Sequence, residues 1–66
     1  MKVVVNGECM ELSEGADVAG LLAVLGLEKR RVAVELGRKI LSPDAYASTK
    51  INEGDVLEIV GFVGGG

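Results

Sequence analysis

The stretch with the clearest chemical meaning is Gly61-Phe62-Val63-Gly64-Gly65-Gly66, because building a core gives no reason for it. Glycine loses more conformational entropy on ordering than any other residue, so a terminal run of it adds nothing to an interior and is suited to leave the domain. At about 3.3–3.6 Å per extended residue, Gly64 to Gly66 reach roughly 10 Å and the whole stretch from Gly61 about 20 Å. A segment of that reach without β-carbons can thread a narrow channel in another protein. What it would deliver is the α-carboxylate of Gly66. A free carboxylate is a poor electrophile, since its charge repels nucleophiles and oxide is a bad leaving group. Conversion to an acyl-adenylate removes both obstacles, and sulfur or an amine can then displace AMP. The plain alternative is a frayed end. Against it, the sequence stops at the glycines with no tag after them, and the only phenylalanine stands directly before them. There Phe62 with Val63 could anchor the tail on a partner, and Phe62 could equally pack on the edge of the last strand.

The remaining reactive side chains make weaker cases. Cys9 could relay a persulfide as its thiolate, but a strand cysteine flanked by Glu8 has no helix end or assured cation beside it, and a structural role is the simpler reading. Glu8, Glu11 and Glu14 could meet a basic patch on a partner, where charge raises on-rate more than affinity. Solvated edge-strand charges that block sheet-to-sheet aggregation account for them as well. Arg30, Arg31, Arg38 and Lys39 form a small basic group without aromatic interleaving, which reads as surface rather than as a phosphate site. With no histidine, and with Asp and Glu scattered over turns and edges, no general-base constellation or Cys/His zinc site is expected.

Composition narrows the setting. The chain has 66 residues, 48% of them hydrophobic, with ten glycines, one proline and one cysteine. A chain of this size buries only about 60% of the surface its unfolded form exposes, so one small economical domain is expected. A single cysteine allows no internal disulfide, which suits a reducing cytosol. No apolar run approaches the ~20 residues of a membrane span, and the start lacks the apolar stretch of a signal peptide. Seven basic against ten acidic side chains give a net charge of −3, which disfavours nucleic acid and favours a basic protein partner.

The elements that must position the tail follow from local pattern. Lys2 to Val5 and Glu8 to Leu12 flank Asn6-Gly7, a pair suited to the positive φ angles of a type I′ hairpin. Val3-Val4-Val5 does not alternate with polar residues, so this strand is expected centrally, with neighbours on both edges. Asp17 is placed to cap a helix whose apolar stripe is Val18, Leu21, Leu22 and Leu25, with Gly26 ending it. Gly20 inside it costs roughly 1 kcal/mol relative to alanine. Val32 to Leu36 predicts a third strand, Gly37 a turn, and Arg38 to Leu41 a short return strand stopped by Ser42-Pro43. Ala45 to Lys50, with Tyr46, reads as a single turn or irregular crossover, and Val56 to Val60 as a β-branched final strand after the turn Asn52-Glu53-Gly54-Asp55. The predicted fold class is α+β: a ubiquitin-like β-grasp roll, a mixed sheet of four to five strands with one helix on one face and the last strand parallel beside the first. Residues 1–61 would form the domain and 62–66 a flexible glycine-rich tail.

Glu53-Gly54-Asp55-Val56-Leu57-Glu58-Ile59-Val60-Gly61 and the glycine ending resemble the end of the ThiS family, the sulfur carriers of thiamine biosynthesis. Val5-Asn6-Gly7-Glu8, Asp17-Val18 with Leu21-Leu22, Val32-Ala33-Val34-Glu35, and Pro43 with Tyr46 are similar to that family's hairpin, helix, third strand and crossover. Leu36-Gly37 departs from a common Asn-Gly, and Tyr46 from a frequent tryptophan. The resemblance implies a cycle. A ThiF-type adenylating enzyme, using ATP and magnesium, activates the Gly66 carboxylate, and sulfur from a cysteine-desulfurase route replaces AMP to give a thiocarboxylate. Thiazole synthase of the ThiG type then takes the sulfur. The chain would bind no cofactor of its own and would serve as co-substrate rather than enzyme. The competing readings are the small subunit of molybdopterin synthase, a family that carries prolines shortly before its glycines, a ubiquitin-like modifier joined to lysines, and a non-covalent interaction module with an inert tail.

Overall fold

The computed structural model describes residues 1–61; Phe62, Val63, Gly64, Gly65 and Gly66 lie outside the described residues. Five strands form one sheet in the order β2-β1-β5-β3-β4: β1 Lys2–Val5, β2 Glu8–Glu11, β3 Val32–Leu36, β4 Lys39–Leu41 and β5 Val56–Gly61. Helix α1, Val18–Val24, crosses one face, and a 3-10 helix, Pro43–Ser48, links β4 to the last turn. The β-grasp roll is as the sequence predicts, with β1 between β2 and β5 and β5 parallel to it.

Alternation along the strands decides which side chains meet the helix. Val3, Val5, Val34, Leu57 and Ile59 are buried and join Leu12, Val18, Leu21, Leu22 and Ile51 in one core. The helix begins where Asp17 accepts a 2.7 Å hydrogen bond from the Gly20 N–H. A β-carbon on Gly20 would sit 3.3 Å from that carboxylate oxygen, so the interior glycine leaves room for the cap. At the other end Gly26, at φ 74°, closes a Schellman motif: its N–H bonds to Ala23 O at 3.0 Å and that of Leu27 to Leu22 O at 2.7 Å. The helix stops at Val24, short of two turns, so the fourth member of the expected stripe falls outside it. Leu25 is 39% exposed at the cap and belongs to the rim of the core, contrary to its expected burial.

Two connections also differ from expectation. Arg38 is not in the return strand; Gly37 and Arg38, at φ 55° and 74°, form the two-residue turn between the paired Leu36 and Lys39. The crossover is a 3-10 helix that begins at Pro43, because a proline without an N–H suits the first position of a helix as well as it stops a strand.

The Asn6-Gly7 turn adopts φ 51° and 81°, as the type I′ reading requires. Asn6 does more than turn the chain. Its backbone N–H bonds to Leu57 O at 2.9 Å. Its side-chain oxygen then accepts from Ile59 N–H at 2.7 Å, and its side-chain NH₂ donates to Ile59 O at 3.2 Å. The carboxamide therefore imitates a strand residue and extends the β1–β5 ladder past the point where β1 turns away. On the other side β5 pairs with β3 from Leu36↔Leu57 to Val32↔Gly61.

Replacing Leu57, which is fully buried, by alanine should lower stability by about 2–5 kcal/mol through lost burial and a cavity; a denaturant midpoint that barely moves would contradict the packing described. Asn6→Gly keeps the turn geometry and deletes the carboxamide, so it should cost about 1–3 kcal/mol. Asn6→Ala should cost roughly 1–2 kcal/mol more, because a β-carbon resists positive φ. Equal melting temperatures for Asn6→Gly and the parent would remove the clamp from the account.

Candidate functional site

The site centres on the end of β5, where the chain leaves the sheet. Val60 and Gly61 pair in register with Ala33 and Val32, so the last described residue is still held by the sheet. The tail residues to which the sequence assigns chemistry, Gly64, Gly65 and Gly66, and the candidate anchors Phe62 and Val63, lie outside the described residues.

The face of the sheet turned away from α1 is the surface next to that exit. Along β5 it presents Val56 and Val60, 49% and 59% exposed, with Glu58 between them. In register beside them lie Val4 and Cys9 on one side and Ala33, Glu35 and Ile40 on the other. Ile40 is 76% exposed, the largest exposure among the large hydrophobic residues of the described chain. Solvent contact by so many β-branched side chains has no folding benefit. Glu35 and Glu58 stand directly opposite one another, an arrangement of like charges that weakens a sheet. Among the described residues the sole ion pair is the N-terminal ammonium with Glu14, at 3.6 Å, so neither carboxylate is neutralised by a basic side chain.

The other residues singled out from sequence divide differently than expected. Cys9 is an exposed residue of β2, paired with Val4 in the sheet and outside the core. Glu8 and Glu11 lie exposed on β2, an edge strand, where solvated charges also guard against edge pairing. Arg30, Arg31, Arg38 and Lys39 are not one group: the first two precede β3 and the last two follow it, at opposite ends of a five-residue strand. Beside Arg30 and Arg31 lies a groove that sequence reading missed, lined also by Val32, Pro43 and Tyr46. The Tyr46 hydroxyl donates to Val32 O at 3.3 Å and fixes the ring there. Asn6 was also missed as a clamp on β5, because the Asn-Gly turn accounted for it fully; nothing local marks its reach to Ile59.

Among the described residues no three His, Cys, Asp or Glu side chains are grouped so as to hold a metal ion, and no helix is long and apolar enough to cross a membrane. What the geometry offers is a rigid base for a tail, flanked by an apolar and acidic sheet face.

Comparison with known proteins agrees with that description. The ThiS family model matches residues 3–66. The chain is 47% identical over 66 residues to a thiazole synthase of Paramagnetospirillum magneticum, and spans about a fifth (20%) of that protein's length. It is 41% identical over 49 residues to the sulfur carrier protein ThiS of Bacillus subtilis, covering 74% of each chain. The crystal structure of the thiamine biosynthesis protein ThiS from Geobacter metallireducens superposes over 100% of both chains with a TM-score of 0.84 at 33% identity. A mixed five-stranded roll with a clamped last strand, matched in sequence and in backbone along its whole length, places this chain in the ThiS family of sulfur carrier proteins.

Proposed function

We propose that the chain carries sulfur as a thiocarboxylate on Gly66 and hands it to a thiazole synthase for thiazole formation in thiamine biosynthesis, working in the reducing cytosol. Residues 62–66 act as the tail and residues 1–61 as the handle. An adenylating enzyme of the ThiF type supplies ATP and magnesium. A carboxylate oxygen of Gly66 attacks the α-phosphorus, pyrophosphate leaves, and the acyl-adenylate forms. The terminal sulfur of a persulfide delivered by a cysteine-desulfurase route attacks the acyl carbon, AMP departs with the bonding electrons, and a thiol reductant then cleaves the sulfur–sulfur bond to release the thiocarboxylate. The resulting thiocarboxylate is polarisable and nucleophilic, and its transfer returns the free carboxylate. The chain supplies no catalytic group and binds no cofactor in this cycle.

The observation that carries the proposal is the exit of β5: paired on both sides of the sheet and clamped at Ile59 by Asn6, it ends at Gly61 directly before Phe62-Val63 and the three glycines. A fixed base confines the reach of the short tail to the neighbourhood of this strand end. The sheet face with Val56, Val60 and Ile40 suits docking of the adenylating enzyme, whose matching surface would be apolar with basic groups opposite Glu35 and Glu58.

Incubation with ATP, magnesium, a ThiF-type enzyme and a sulfur donor should raise the intact mass by the replacement of one oxygen with sulfur, localised to Gly66. Deleting Gly66 should abolish the gain and leave the melting temperature unchanged within about 2 °C, because glycine has no side chain to contribute to a core. No gain in the parent, or unfolding on deletion, would defeat the proposal. Glu58→Lys turns the Glu35–Glu58 repulsion into attraction, so it should raise the melting temperature while slowing adenylation severalfold. A variant loaded as fast as the parent would detach this face from enzyme docking.

A further inference from the structure

The groove beside the tail exit is independent of the sheet face and has the opposite charge. Its volume is about 730 Å³, within the size range of binding clefts. Leu22 is buried, while Val32 and Tyr46 are half-buried, and together with Pro43 they give it an apolar floor. Arg30 and Arg31 are exposed on its rim with Glu28. The two guanidiniums have no carboxylate within ion-pair distance among the described residues, although Glu28 shares their rim. The fold needs only a connection between α1 and β3 here, and Lys29-Arg30-Arg31 is the one run of three cations in a chain of net charge −3.

Position adds the function. Val32, on the groove floor, is the register partner of Gly61. The groove therefore opens where the tail leaves, and the five residues from Phe62 to Gly66 span at most about 17 Å. Within that distance of Gly61 an enzyme that takes up the tail meets both the sheet face and the groove. The sheet face carries Glu35 and Glu58 and repels an acidic surface, whereas the groove attracts one.

From this we infer that the groove docks an acidic segment of the thiazole synthase that receives the tail, one apolar side chain resting on Pro43 and Tyr46 and carboxylates forking onto Arg30 and Arg31. The docking rests on the carrier function proposed above. It gives the two enzymes separate surfaces: the loading enzyme takes the acidic, apolar sheet face, and the acceptor takes the basic groove. A carrier can then be released from one and captured by the other through opposite electrostatics.

The test titrates thiazole synthase onto the unloaded full chain and reads Kd by calorimetry at low and high salt. Arg30→Glu combined with Arg31→Glu should weaken binding by about tenfold or more, which is about 1.4 kcal/mol or more, and parent binding should weaken as salt rises. Lys29→Glu, in the same connection but off the groove lining, should change Kd by less than about twofold, against several-fold for Arg31→Glu alone. Adenylation by the ThiF-type enzyme should stay within about twofold for the double variant. Unchanged Kd in the double variant, equal effects of Lys29→Glu and Arg31→Glu, or an equal loss of adenylation would each overturn the inference. Matching melting temperatures of parent and variants establish that the variants are folded. Because the unloaded chain is used, failure of the carrier function appears separately, as a missing sulfur gain in the mass measurement.

Discussion

Backbone hydrogen bonds between the first strand and the last hold this molecule in its working shape. β1 and β5 are parallel neighbours in the middle of the sheet, bonded through Val4 N–H to Asp55 O and Asn6 N–H to Leu57 O, each at 2.9 Å. Parallel pairing of residues more than fifty positions apart closes the whole chain into a loop, and the intervening helix and strands are what lower the entropic cost of that closure. The Lys2 and Glu53 ends are joined as well: Lys2 N–H donates to the Glu53 carboxylate at 2.8 Å and Gly54 N–H to Lys2 O at 2.7 Å. β5 is thus tied down at the turn before it and in its middle by Asn6, with β3 along the other side to Gly61. The point of departure at Gly61 inherits its rigidity from this central position.

Among the described residues, one short helix covers one face of the sheet and leaves the other open. The uncovered side carries Val56, Val60 and Ile40 in contact with water and two glutamates opposed in register. Neither feature favours folding. Sites at which a sequence departs from what its own fold prefers are where function is to be sought, and here they surround the strand that leads to the tail. Arg38 is a further departure: at φ 74° it occupies a turn position that glycine or asparagine would fill with less strain, and nothing in the structure explains the choice of arginine.

Charge gives the domain direction. Glu8, Glu11 and Glu14 lie at and beyond the β2 edge, while Arg30 and Arg31 lie beside β3 towards the opposite edge. Exposed charges of this kind contribute little to stability, but they orient an approaching protein before contact is made. In the carrier function proposed above, the domain serves as a handle that brings specificity through shape and field.

Local sequence determined the elements almost completely, because each is set by interactions within a few residues. Asn6-Gly7 could make its tight turn, Asp17 and Gly26 could bound a helix, and β-branched residues could make β5, without knowledge of the rest. The reading of the glycine ending as a carrier of a reactive carboxylate rests on its chemistry, and its placement lies outside the described residues. Tertiary structure alone decided the items that depend on distant partners. Whether Leu25 is core or rim depended on where the helix stopped relative to the sheet. The clamp of Asn6 on Ile59 and the opposition of Glu35 to Glu58 join residues brought together by pairing between strands, and the groove shared by Tyr46, Arg30 and Arg31 forms where the 3-10 helix lies beside the connection into β3. Spacing in the chain records period and turn chemistry, but it carries no register between strands far apart, and register is what chose these neighbours.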